Sequence, residues 1–309
     1  MKVTILMSTY NGERFLAEQI RSIQDQTFTN WKLLIRDDGS NDRTPEIIQE
    51  FVEKDSRIHF MNTEDRTNLG VIKNFYTLLK YEKADVYFFS DQDDIWLPEK
   101  MAMTLAEAEH YPADQPLLIY TDLKVVNQEL EVLSESMIRS QSYHANTSLI
   151  QELTENTVTG GTMMINHSLA ELWTRPDNIL MHDWYLALLA TAFGKLVYID
   201  QAGELYRQHD SNVLGARTLS KRMQHWIRPH LLFAKYWQLI KDSQLQASHL
   251  LQLPLTPDKR DLVQAYVTIM DKGLIERVRI LKKYSFKKNK AFHTFVFTIL
   301  ILTKFAYKE

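Results

Sequence analysis

The chain contains no cysteine in its 309 residues. Disulfides, thiolate metal sites and cysteine nucleophiles are therefore excluded, and a reducing compartment suits the composition. Glycine and proline are scarce, at 9 and 8 residues, well under their usual share. No Gly- or Pro-rich linker, low-complexity tract or internal repeat divides the chain. Long apolar runs are also missing. Met1-Lys2 leads straight into a strand-like segment, which predicts a protein without a signal peptide. What is present, 45% apolar and 24% charged residues, is ordinary for a globular chain able to bury a full core.

Charge is unevenly placed. From Arg217 onward 18 Lys/Arg face 6 Asp/Glu, whereas the first 216 residues carry 18 against 33. The pattern predicts an acidic body, 1–216, and a basic helical region, 217–309. Solvated basic helix faces would produce the same count. A nucleic-acid partner is not expected, because the body is acidic and the basic run lacks interleaved stacking aromatics.

Up to about residue 110 strand-like and helix-like segments alternate. Val3–Ser8, Trp31–Arg36, Ile58–Met61 and Val86–Ser90 are short apolar runs of strand length. Between them Glu13–Gln26, Thr44–Lys54 and Val71 to about Tyr81 have helical spacing, the second opened by Pro45. This alternation predicts an α/β fold with a mostly parallel sheet and helices on both faces. Further on, Leu117–Val126 reads as a strand pair or one long bent strand. Ser134–Thr154 reads as a polar loop with one short helix, and Thr157–Ile165 as a Gly-Gly loop feeding a strand. A short helix is expected over Ser168–Trp173, and a strongly apolar helix from His182-Asp183-Trp184 to about Phe193. Lys195–Ile199 is a strand, followed by Leu205–His209. Beyond Thr218 helical spacing dominates, with breaks at Pro229, Leu253–Pro257 and Lys287–Asn289.

In parallel sheets ligands bind beyond the carboxyl ends of the strands. Three polar stops fall there: Ser8-Thr9-Tyr10-Asn11, Asp37-Asp38-Gly39-Ser40 and Asp91-Gln92-Asp93-Asp94. The last places three carboxylates within four residues, an oxygen-rich cluster suited to Mg²⁺ or Mn²⁺. A turn with Asp94 capping the next helix is the plainer alternative, as an Asx turn is for Asp37-Asp38.

The order of these stops, with the later His182-Asp183 and Arg207-Gln208-His209, resembles the nucleotide-sugar-dependent glycosyltransferases of family 2, which have the GT-A fold. The resemblance covers about residues 1–215. The wording Asp91-Gln92-Asp93-Asp94-Ile95-Trp96-Leu97-Pro98 and Tyr206-Arg207-Gln208-His209 is similar to the subgroup that transfers L-rhamnose in bacterial cell-wall polysaccharide synthesis. The resemblance implies an inverting, Mn²⁺- or Mg²⁺-dependent transfer, with Asp183 as base. It implies that Asp93 is a metal ligand and that Asp91 contacts ribose or metal-bound water, the two side chains pointing the same way along an extended tripeptide. Asp38 would take the ring N–H of uracil or thymine, Thr9 and Tyr10 would flank the base, and Asn11 would fix the loop. Lys73 follows a segment that closes over base and phosphates; otherwise it is a solvated lysine. Gly160, Gly161 and Thr162 would underlie the sugars. Arg207 and His209 would meet the diphosphate, with His209 as a third metal ligand or a phosphate donor. The family often has Glu where this chain has His182.

The donor implied is dTDP-L-rhamnose and the acceptor a lipid-linked cell-wall glycan. The basic run Lys282–Lys290 precedes a short apolar stretch, Phe295–Leu302, below the roughly 20 residues of a spanning helix. It suits an anionic membrane interface, which predicts a cytoplasmic protein peripheral to the inner face of the cell membrane. A core helix or a homo-oligomer contact is the alternative. Two other functions stay open: a sugar nucleotidyltransferase, although the first loop has one glycine, and a non-catalytic sugar-nucleotide-binding subunit of a membrane complex.

Overall fold

The computed structural model describes residues 1–209 and 229–307, with side chains from residue 233 onward in the second stretch. The first half alternates as the hydrophobic pattern predicts: β1 (Val3–Thr9), α1 (Leu16–Gln24), β2 (Trp31–Asp37), α2 (Thr44–Lys54), β3 (Ile58–Phe60), α3 (Val71–Tyr81) and β4 (Val86–Ser90). These strands are apolar nearly throughout because both faces are covered. Val3, Ile5 and Met7 of β1 pack with Leu16, Ile20 and Ile48 from α1 and α2. Leu6 and Leu34 face Phe75, Leu78 and Leu79 of α3 on the other side.

The chain continues through β5 (Ile95–Trp96), α4 (Lys100–Ala108), β6 (Leu117–Val126), β7 (Val132–Ser134), a π-helical turn (Ile138–Ser142) and α5 (Leu149–Thr154). Then come β8 (Met163–Asn166), α6 (His167–Leu172), α7 (His182–Phe193) and β9 (Lys195–Arg207). The strand order is β3-β2-β1-β4-β8-β6-β9-β5, with β7 beside β6. The sheet is parallel through its first four strands and mixed beyond them, since β8 is antiparallel to both β4 and β6. The cause is local: β8 starts from the Gly160-Gly161 turn at the ligand edge, so it must run away from that edge. Leu117–Val126 is one strand, and Lys195–Arg207 pairs with it in parallel across an irregularity near Asp122. The 134–154 stretch is not a plain loop, because Ile138, Leu149 and Leu153 are buried in the core.

The C-terminal helices are α8 (Pro229–Ser248), α9 (Pro257–Thr268), α10 (Leu274–Tyr284) and α11 (Ala291–Thr303). The expected division at residue 216 lies outside the described residues. Trp237, Tyr266, Phe297 and Leu300 join the same buried cluster as Leu186 and Leu189 of α7. The basic run is not wholly a surface feature either. Lys288 is buried and its ammonium donates to the Thr154 carbonyl at the end of α5.

Candidate active site

Gln92 joins the first polar stop to the third. Its amide accepts from the Tyr10 N–H at 2.8 Å and donates to the Tyr10 carbonyl at 2.9 Å. This pairing needs Gly12, where a Cβ would come within 2.3 Å of Gln92 Oε1. Tyr10 itself is half exposed at the mouth of the cleft. Asn11 adopts φ +49° and its side chain accepts the Asn41 N–H, which ties the first loop to the second. Thr9 is buried and its hydroxyl donates to Asp37, whose other oxygen accepts the Gly39 and Ser40 N–H groups in an Asx turn.

Asp38 is more occupied than a waiting base-binding carboxylate. Oδ1 accepts from Arg36 and from the Leu69 N–H, and Oδ2 from the Gly70 N–H. It therefore anchors the turn ahead of α3 and leaves one lone pair of Oδ2 for a ligand. Lys73, in the first turn of that helix, is exposed and lies 3.3 Å from Asp177.

The Asp91-Gln92-Asp93 segment bends at Gln92 and Asp93, Gln92 turns to Tyr10, and the charges of the two acids act on one another. Asp93 Oδ2 meets His209 Nε2 at 2.8 Å. Asp91 lies toward Gly160: a Cβ on that glycine would stand 4.0 Å from Asp91 Oδ2. Burial, then the charges of Asp93, Glu204 and Asp183, push the Asp91 carboxyl up to about 8. Asp94 is not a helix cap. It is buried and accepts the Arg207 N–H at 3.0 Å, while the end of α4 carries no side-chain cap.

Arg207 is likewise held inside the protein rather than presented to a diphosphate. Its guanidinium donates to the Asp93 and Gln128 carbonyls and to Glu18 at 2.5 Å, and it covers the Phe15 ring. It positions the Asp93 backbone. Glu18, in α1, carried no signal for this role in the sequence.

Gly160, Gly161 and Thr162 form one buried 3₁₀ turn beneath the cleft. A Cβ on Gly160 would sit 3.0 Å from His182 Nε2, so only glycine lets this backbone lie against the imidazole. The Gly161 carbonyl accepts from Lys100, which is fully buried and paired with Glu204 at 2.6 Å. The Thr162 hydroxyl donates to the Thr159 carbonyl. Asp183 is the second residue of α7, not its cap; Met181 holds that place. Burial drives its carboxyl up to about 7 against opposing hydrogen bonds from the Trp184 and Gly160 N–H groups. His182 stacks on Phe75 at 4.4 Å and on Phe89 at 5.7 Å. Burial lowers it to about 3, so the ring is neutral, and neither nitrogen has a partner among the described residues. Behind α7, Glu152 is fully buried; burial and the Asp183 charge hold its carboxyl well above the usual range.

The family resemblance implies a divalent ion, and the residues present fit one in part. Asp93 and His209 offer one oxygen and one nitrogen donor at the same point. Asp91 does not complete a triad, and among the described residues no three acidic or histidine side chains converge on one position. A protein supplying two donors leaves the remaining ligands to water and to substrate phosphate, as Mg²⁺ and Mn²⁺ sites commonly do.

The fold and the acid-lined edge define a transferase of the GT-A type. The chain belongs to glycosyltransferase family 2: the Glycosyl transferase family 2 pattern matches residues 4–173. It is 30% identical to the dTDP-rhamnosyl transferase RfbG of Shigella flexneri over 228 residues, 68% of this chain and 74% of that one. It is 38% identical to the UDP-Glc:alpha-D-GlcNAc-diphosphoundecaprenol beta-1,3-glucosyltransferase WfgD of Escherichia coli over 104 residues, 34% of this chain and 40% of that one. The fold matches residues 1–349 of S. aureus TarS in complex with UDP-GlcNAc, with a TM-score of 0.61 at 16% identity over 99% of this chain and 83% of the other. It also matches the mannosyltransferase PcManGT of Pyrobaculum calidifontis with GDP-Man and Mn²⁺, with a TM-score of 0.54 at 12% identity over 92% and 84%.

Proposed function

We propose that the protein transfers a sugar, L-rhamnose from dTDP-L-rhamnose, onto a lipid-linked polysaccharide precursor with inversion at the anomeric carbon. The observation that carries this reading is Asp183: a buried carboxyl at about 7, at the start of α7, against the Gly160 turn. As carboxylate it takes the proton of an acceptor hydroxyl. That oxygen forms its bond to the anomeric carbon as the bond to the diphosphate oxygen breaks on the opposite face. Asp93 and His209 would hold the divalent ion, which when bound neutralises charge on the leaving diphosphate. Gly160, Gly161 and Thr162 form the turn beneath the sugars, with His182 and Glu204 packed against the two glycines. Thr9, Tyr10, Asn11 and Asp38 form the base end of the cleft, with Lys73 at its rim. RfbG supports rhamnose as the donor sugar.

A panel of nucleotide sugars with Mn²⁺, read by thermal shift and then by product analysis, tests the donor. dTDP-L-rhamnose should raise Tm most and release dTDP on transfer; a larger shift and turnover with another donor would replace rhamnose. Chelation should stop turnover and Mn²⁺ or Mg²⁺ should restore it. Full activity in chelator would remove the metal role.

A further inference from the structure

A recess lined by none of the acids of the candidate active site lies elsewhere on the chain. It is a cleft of about 730 Å³ between the 138–147 segment and the first half of β9. Tyr111, Tyr143 and Tyr198 line it, together with Arg139, Lys195 and Asp200. Each tyrosine offers a flat apolar face and a hydroxyl edge. Arg139 and Asp200 pair at 2.7 Å, and the Tyr198 hydroxyl reaches Asp200 at 3.1 Å, so donors and acceptors are set side by side at the wall. Tyr143 is 67% exposed. It also closes the π-helical turn at φ +67°, a left-handed conformation that costs a bulky residue energy. Strained residues and π-helical turns concentrate where a side chain must be aimed. Lys290 lies 5.1 Å from the Tyr143 ring centre and links the C-terminal region to the cleft.

We propose that this cleft is a second saccharide-binding site, one that holds the acceptor glycan at sugars remote from the hydroxyl being modified. A pyranose presents C–H faces that lie on aromatic rings and a hydroxyl rim that takes hydrogen bonds from paired charged groups. The volume is within the usual range for ligand sites and suits about two to three sugar units. Thr159, just ahead of Gly160, lies against Met137 at 3.8 Å, and Ile138 and Arg139 already line the cleft. The acceptor role rests on the transferase reading; the saccharide site itself does not.

The test uses the full-length protein without donor or metal, titrated with maltotriose, chitotriose and an α-linked rhamnotriose by saturation-transfer NMR. At least one should bind at millimolar concentration. Tyr143→Gly should weaken it by at least about fivefold, while Tm holds or rises because the left-handed strain is relieved. Arg139→Ala should also weaken it. Absence of binding by all three at 20 mM, taken as roughly the weak limit of specific recognition, overturns the proposal, as does binding that neither variant changes. Trisaccharide binding in a protein that binds no nucleotide sugar would leave the site standing and remove the transferase reading instead.

Discussion

Burial raises Asp183 to about 7 from an ordinary 3.8, so the folded chain keeps a proton there that the unfolded chain releases. The folded state binds that proton more tightly. The contribution to stability is therefore present below pH 3.8 and is lost as pH rises through 7. Catalysis needs the opposite state, and kcat should fall about tenfold per pH unit below this value. Asp183→Asn should keep donor binding, lower kcat by about 10²–10⁴-fold, and raise Tm at pH 8. Retained turnover would remove Asp183 from the base role. His182 permits a separate test. Its neutral ring has no hydrogen-bond partner among the described residues and sits between Phe75 and Phe89. His182→Phe should raise Tm, since it keeps the stack and removes two desolvated nitrogens; a drop of several degrees would mean that those nitrogens are satisfied in solution.

At the scale of elements, β9 carries both Glu204 beneath the Gly161 turn and Arg207 behind Asp93. Lys100→Met would leave Glu204 buried and uncompensated. It should cost about 3–5 kcal/mol in urea denaturation, whereas Lys100→Met with Glu204→Leu should recover most of that loss. A single-variant cost below about 1 kcal/mol would show that the pair is solvated. The first seven elements were legible because their apolar residues repeat at helix or strand period and each run ends in a polar stop. The antiparallel β8 was not, because a strand's direction depends on where its turn sits in space. The burial of Asp94 and the protein partners of Arg207 were not legible for a related reason. Each carries a charge that suits a surface or ligand role, and the partner that buries it, a backbone group or Glu18, comes from a distant part of the chain. Among the described residues Asp93 pairs with His209, and no third acidic or histidine side chain joins them.

Across the whole molecule, charge asymmetry and packing pull apart. The basic C-terminal region reads in sequence as an appendage, yet Lys288 and Phe297 are part of the interior. Among the described residues no helix is long and apolar enough to cross a membrane. α11 nevertheless leaves Phe292, Phe295 and Ile299 exposed along one side, close in sequence to Lys282, Lys283, Lys287 and Lys290. An amphipathic contact with an anionic surface suits that arrangement. Phe292→Asp with Phe295→Asp should abolish flotation with phosphatidylglycerol vesicles without lowering Tm; unchanged flotation would eliminate this face as the contact. Substitution is a better test than truncation, because removing α11 takes Phe297, Leu300 and Ile301 out of the shared core.

The same packing has a consequence for synthesis. α7 is completed by residues about 65 positions further along the chain: Tyr185 meets the His249 ring, and Lys259 donates to the Thr191 and Ala192 carbonyls. At ribosomal speeds of about 5–20 residues per second, that surface waits roughly 3–13 s for its partners. Until α8 and α9 emerge, the nascent chain displays an unfinished interior, and chaperone dependence in the cell should track the delivery of those helices rather than the folding of the parallel strands made first.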